Sequence, residues 1–310
     1  MAENKLQKKL APAIMSLCAY TLGIVTTLAY LITLRETVNN FGPLEVIYGV
    51  TSAAWLIAIG YGTRFIQRYL HKDTLSLLMV MQLLAIPLLI LSLVIIRISP
   101  MLLGNPHGNM LPSLWLMIST GLAIFPLGLV LGAQLPILNS LFSQKKRDLQ
   151  KQLVIVLRDI ALGSIGAALL YTLVLDFILN SFQLLAVLIM VLWLCLCSAV
   201  SVLIPTDDQL HRKYWGTLAI LALFLFTLLF FSPVSSSLEK WSFKKIWRNE
   251  QVLNNFESVQ GRVTFAQNLR EITVYLNGTP YFSTAQKALH EELAQVPLLA
   301  APTPPQNVLF

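Results

Sequence analysis

The sequence predicts an all-α polytopic membrane bundle of about seven transmembrane helices, followed by a small β-hairpin/helix module. Three observations predict it. Of 310 residues, 56% are hydrophobic and only 12% are charged, against about a quarter charged in ordinary globular chains. The mean hydropathy is +0.69. The charge deficit is concentrated before residue 232, in apolar runs long enough to cross a hydrocarbon core at about 20 residues each. After Trp241 the composition turns to mixed polar and β-branched residues.

The apolar runs place spans at 13–34, 44–61, 75–98, 114–135, 153–175, 184–204 and 214–231. The first follows Lys5, Lys8 and Lys9, as a secretory signal would, but its apolar stretch is too long and no small-residue cleavage pattern closes it. It reads as a retained anchor. The net charge of +7 does not point to nucleic acid, because the bases sit mostly in short loops between spans. There they act as topology signals and as partners for anionic lipid.

With the N-terminus in the cytoplasm, the inside loops hold Arg64, Arg68 and Lys72, then Lys145, Lys146, Arg147 and Lys151, then Arg212 and Lys213. The outside loops hold little beyond Arg35 and Arg97. This asymmetry predicts a multi-pass protein of the cell (inner) membrane. An odd number of spans then sends the C-terminal module outside, against the preference of the basic cluster Lys240, Lys244, Lys245 and Arg248.

Within the bilayer, the fourth span carries Pro126, Gly128, Gly132 and Gln134, with Pro136 just past its end. Gly128 and Gly132 form a G-x-x-x-G step that allows close helix approach, and Pro126 predicts a kink. The fifth span carries Arg158 and Asp159. Asp159, Gly163, Gly166 and Leu170 share a helical face, which turns the carboxylate into the bundle. An acid at that depth needs a partner, and Arg64 or Lys151 could supply one. Arg158 and Asp159 are therefore the candidate intramembrane polar site, for structure or for solute passage. Glu36, Arg35, Arg97 and Asp176 lie at span ends, where water or headgroups account for them. Cys18, Cys195 and Cys197 fall inside spans and read as small hydrophobes. Cys195 and Cys197 point to different helix faces, so no metal site is expected.

The chain divides into a multi-pass domain (1–232), a juxtamembrane linker (233–254), a small β module (255–299) and a proline-rich linker with a final strand (300–310). In the module, 261–266 reads as a strand, with Val263 and Phe265 alternating against Arg262 and Thr264. A second strand follows at 271–276. Asn277-Gly278 is a strong hairpin signal, since both turn positions tolerate φ > 0, and 279–283 returns. A helix is expected over 284–293, capped by Ser283 or Thr284. The last residues, Gln306 to Phe310, read as the first buried strand of a nucleotide-binding domain whose glycine-rich turn would follow.

The runs Ser258-Val259-Gln260-Gly261-Arg262-Val263, Tyr275-Leu276-Asn277-Gly278, Phe282-Ser283-Thr284, His290-Glu291 and Pro302 through Leu309 resemble, in order and spacing, the N-terminal β module of spermidine synthases. The chain is most similar to the membrane-embedded branch of these polyamine aminopropyltransferase-like proteins, in which a multi-span domain precedes the module. The resemblance implies a hairpin lid and then a Rossmann-like domain binding decarboxylated S-adenosylmethionine. It implies substrate-binding roles for Gln260, His290 and Glu291. The lid glutamine of soluble members aligns with Gly261, beside Gln260, and their acidic pair falls on Ala285 and Gln286. The glycine-rich turn and catalytic aspartate would lie beyond Phe310.

The chain is accordingly expected to be the membrane part of a truncated or split spermidine synthase-like protein, with no catalytic residue and no activity by itself. No cofactor is expected in this chain, and decarboxylated S-adenosylmethionine enters only if the missing domain is supplied. The expected partners are the lipid bilayer, a separately encoded catalytic domain and a second copy of the chain. The alternatives are a stand-alone transport or solute-binding module, or a membrane anchor for a separate catalytic subunit.

Overall fold

The computed structural model describes residues 2–70, 74–102, 113–143, 149–203, 209–231, 237–238, 240–243, 247, 251–258, 261–269, 271–286 and 291–292. Long helices come first: α1 (Ala2–Phe41), α2 (Glu45–Ile66), α3 (Thr74–Leu102), α4 (Ser113–Ser143) and α5 (Leu149–Leu170). α5 runs on through a π-helical turn, Tyr171–Leu175, into a single turn, α6 (Asp176–Ile178). α7 (Ser181–Leu203) and α8 (Gln209–Phe231) follow. Six helices are long and apolar enough to cross a membrane, with spans Pro12–Phe41, Glu45–Tyr69, Thr74–Pro100, Met117–Phe142, Gln152–Leu175 and Ser181–Leu203. α8 holds a shorter apolar run, Lys213–Leu228, so the count among the described residues is six where about seven was expected.

α1 is the hub, packing on α2, α3, α4, α5 and α7, while α2 pairs with α4 and α7 with α8. Two seams are set by glycine. On the α2–α4 seam, a Cβ at Gly62 would overlap the Leu129 carbonyl, and one at Gly132 the Ile59 carbonyl. Gly128 faces Ala58, so the G-x-x-x-G step is a helix contact, as its small residues allow. On the α1–α5 seam, Gly23 meets the Ile160 carbonyl and Gly163 the Tyr20 carbonyl. The outer faces carry exposed Leu56, Ile57, Leu122, Ile165, Leu169, Ile220 and Phe224, which suits hydrocarbon surroundings.

Several expectations are corrected here. The buried face of α5 runs through Val156, Asp159, Gly163, Ala167 and Tyr171, and Leu170 is exposed. The observed i, i+3, i+4 course keeps to one side, whereas Gly166 and Leu170 drift outward. Pro136 lies inside α4 beside Pro126, because the helix continues to Ser143. α1 extends seven residues past the expected end at 34, to Phe41, since the charged residues of its last turns have buried partners.

The module is a four-stranded antiparallel meander in the order β1 (Gln251–Ser258), β2 (Gly261–Asn268), β3 (Glu271–Leu276) and β4 (Thr279–Ser283). β1 was not anticipated. Its Asn254-Asn255 pair carries little strand propensity, and pairing with β2 overrides it. Of the helix expected over 284–293, Thr284–Gln286 forms a 3₁₀ turn. Lys287 to His290 and everything after Glu292, including the expected final strand, lie outside the described residues. The β3–β4 turn has both central residues at positive φ, Asn277 at 51° and Gly278 at 75°, as the dipeptide predicts. Asn277 Oδ1 also accepts the Arg262 N–H at 2.8 Å. It occupies the space a Cβ on Gly261 would need.

The alternation in β2 is present, but the buried side is the one carrying Arg262, Thr264 and Ala266. Thr264 pairs with Tyr275 across the ladder. Tyr275 meets Trp247 edge-on at 4.6 Å, and Phe243 completes this small core. On the opposite face, register places Phe265, Val274 and Phe282 in one row across three strands. Phe256 of β1 joins it, 6.2 Å from Phe265.

Candidate functional site at the junction of bundle and sheet

The ends of α1 and α3 and the start of α7 meet the inner face of the sheet around one carboxylate. Glu36 is fully buried, as is Arg97 at 1% side-chain exposure. The Arg97 guanidinium binds Glu36 bidentately, Nε to Oε2 at 2.9 Å and Nη2 to Oε1 at 2.8 Å. Arg262 of β2, at 4% exposure, donates from Nη2 to Oε1 at 3.1 Å. The Ser181 hydroxyl donates to the same oxygen. Arg97 also donates from Nη1 to the Ser242 hydroxyl at 3.0 Å.

Both guanidinium groups lie over the Phe243 ring, with its centroid 5.8 Å from Arg97 and 4.9 Å from Arg262. The Phe182 ring covers Arg97 from the other side at 4.7 Å. Planar, weakly hydrated guanidinium groups tolerate such burial because they form fork-shaped hydrogen bonds and stack on aromatic faces. The cluster joins residues 36, 97, 181, 242 and 262, so it fastens the sheet to the bundle.

Beside this cluster is a cavity of about 270 Å³. Its walls are the last turns of α1, the start of α2, the π turn after α5 and the loop ends of the sheet. The Arg35–Asp176 ion pair, at 2.7 Å, lines it. The Tyr171 hydroxyl lies next to that pair. Asn39 is 4% exposed, and its Nδ2 has no hydrogen-bond partner among the described residues. The hairpin reaches this end of α1, where Gly42, at φ 91°, abuts Thr279.

By sequence, Glu36, Arg35, Arg97 and Asp176 fall at span ends, where water or headgroups would account for them. Glu36 and Arg97 instead pair with each other and with the module, and Arg35 pairs with Asp176 across two helices. The signal in the sequence was their opposite signs at neighbouring span ends. Arg262 on a short strand is legible only once β2 is known to face inward.

The intramembrane site lies at the other end. Asp159 is buried at 3% and does turn toward α1. Its partners are the Ser16 hydroxyl and Arg158, whose Nε and Nη2 lie 3.0 and 2.7 Å from Oδ1. Arg64 does not fill that role among the described residues, and the Lys151 side chain lies outside them. Arg158 is 62% exposed, as a snorkelling arginine would be. Close to that end, Cys195 Sγ lies 3.3 Å from Cys18 Sγ and accepts from Thr21 and Gln82, each at 3.2 Å. Gln260 and His290 fall outside the described residues, and Glu291 is exposed.

Comparison with family models, with curated proteins and with solved structures gave no match.

Proposed function

We propose that this chain is a membrane-embedded platform: the helix bundle fixes a small sheet at one end and presents its outer face to a second folded domain. The observation that carries this reading is β2, which turns Arg262 into the Glu36 cluster and Phe265 outward. A sheet tied down on one face is held in orientation. An apolar row of Phe256, Phe265 and Val274 on the other face is the kind of surface a partner covers.

The resemblance to membrane-embedded spermidine synthase-like proteins supplies the class of partner, a nucleotide-binding catalytic domain. Chemistry belongs to that domain, as does any binding of decarboxylated S-adenosylmethionine. Charge supports the orientation: Arg64, Lys151 and Lys213 lie at the bundle end away from the sheet, the end the positive-inside rule assigns to the cytoplasm. The sheet then lies on the opposite side of the inner membrane.

The test is purification of the full chain from its native membranes, beside Phe265→Asp. The expected result is a co-purified protein with a nucleotide-binding domain, lost in the variant while the chain stays inserted. A preparation with no such partner, or a partner retained by Phe265→Asp, would count against the platform reading. Unaltered solute flux in Asp159→Asn membranes is expected as well, and flux that vanishes in that variant would favour transport.

A further inference from the structure

We infer that the cavity beside the Glu36 cluster binds a zwitterionic phosphate-and-amine group, the chemistry of an aminophospholipid head or of the free phosphoamine. The inference is independent of the platform reading, because none of its residues belongs to the outer face of the sheet.

Position comes first. The cavity is lined where the spans Pro12–Phe41, Glu45–Tyr69 and Gln152–Leu175 begin or end, which is headgroup depth if those helices cross a bilayer. Leu31, Leu34 and Val38 supply apolar wall on the bundle side, and half-exposed Tyr48 stands on α2. Amphipathic rings of this kind favour the interface.

The polar groups are of two kinds. Arg35 and Asn39 Nδ2 are donors suited to phosphate oxygens, and the Tyr171 hydroxyl steadies the Arg35–Asp176 pair beside them. Asn39 is the decisive one, because a buried amide N–H that finds no partner among the described residues is costly unless something occupies it. Asp176, with its side chain 29% exposed, offers a carboxylate on the same wall. A plain anion would suit Arg35 and be repelled by Asp176, and a plain cation would meet the reverse. A molecule with both charges can lie against both members of this ion pair, 2.7 Å apart, without breaking it. The π turn that carries Tyr171 into this wall is a local widening of the kind often found at binding sites.

The test is native mass spectrometry of the purified full chain with phosphatidylethanolamine and phosphatidylglycerol of matched acyl chains. Retention of phosphatidylethanolamine is expected to exceed that of phosphatidylglycerol by about tenfold, the size of one favourable charge contact. Asn39→Leu, which breaks no hydrogen bond of Nδ2 among the described residues, is expected to weaken phosphatidylethanolamine by about tenfold. Asp176→Asn is expected to erase the preference over phosphatidylglycerol. Equal retention of both lipids by the unaltered chain, or full retention by Asn39→Leu, would overturn the assignment. Added phosphoethanolamine distinguishes the sources: displacement of the lipid assigns the site to the free headgroup, and failure to displace assigns it to the bilayer lipid.

Discussion

Glu36→Ala is expected to be among the most damaging single changes in the protein, releasing the sheet and loosening the bundle end together. Glu36 faces two buried guanidinium groups, Arg97 and Arg262. Its loss leaves both without their carboxylate, and breaking a buried pair in this way costs about 3–5 kcal/mol. Arg262→Leu is a milder change. It removes the charged hydrogen bond to Glu36, worth about 1.5–3 kcal/mol, and leaves Glu36 held bidentately by Arg97. The two variants should therefore separate. Limited proteolysis should cut the module free in both, while thermal unfolding in detergent should move much further for Glu36→Ala. Equal shifts would mean that Arg97 does not depend on Glu36.

The second large effect is expected at Gly163. Its Cα lies so near the Tyr20 carbonyl that a Cβ would overlap it, and the obstacle is backbone, which cannot rotate aside. Gly163→Ala must push α5 away from α1, with an overpacking cost of about 1–3 kcal/mol. Gly60→Ala is the control. Nothing lies within 4 Å of a Cβ there, so the change should instead stabilise α2 by roughly 0.5–1 kcal/mol, the usual helix preference of alanine over glycine. Thermal stability in detergent reads both. A neutral Gly163→Ala would show that the α1–α5 seam is looser than its glycines indicate.

What the sequence discloses and what it hides follow from the range of the forces involved. Apolar runs and the Asn277-Gly278 turn are local, so the spans and the hairpin are legible without a fold. The small-residue step at Gly128 and Gly132 is legible as a helix contact, but its partner α2 is not, because Gly62 and Ala58 lie some 70 residues away in the chain. The end of α1 misleads for a related reason. Arg35 and Glu36 look like the charged fringe of a span, and partners from α3, α6, α7 and β2 bury them. β2 misleads in the opposite sense. Alternation fixes which residues share a face, and ordinary patterning turns Val263 and Phe265 inward. The buried carboxylate reverses that choice by drawing Arg262 in, and Phe243, Trp247 and Tyr275 then pack with Ala266. The lid residues implied by the resemblance, Gln260 and His290, lie outside the described residues, and the fold does not bear on their roles.

The central claim is that a single buried charge cluster couples the sheet to the bundle, and a double-mutant cycle measures that coupling directly. Glu36→Gln and Arg262→Gln would be made singly and together, with hydrogen exchange of the β2 amides as the readout of sheet stability. The account predicts that the effects are not additive, with a coupling above about 1 kcal/mol, as for groups in one ion-pair network. Additivity within about 0.5 kcal/mol, the behaviour of independent sites, would contradict it and would leave the sheet resting on the bundle without being held by it.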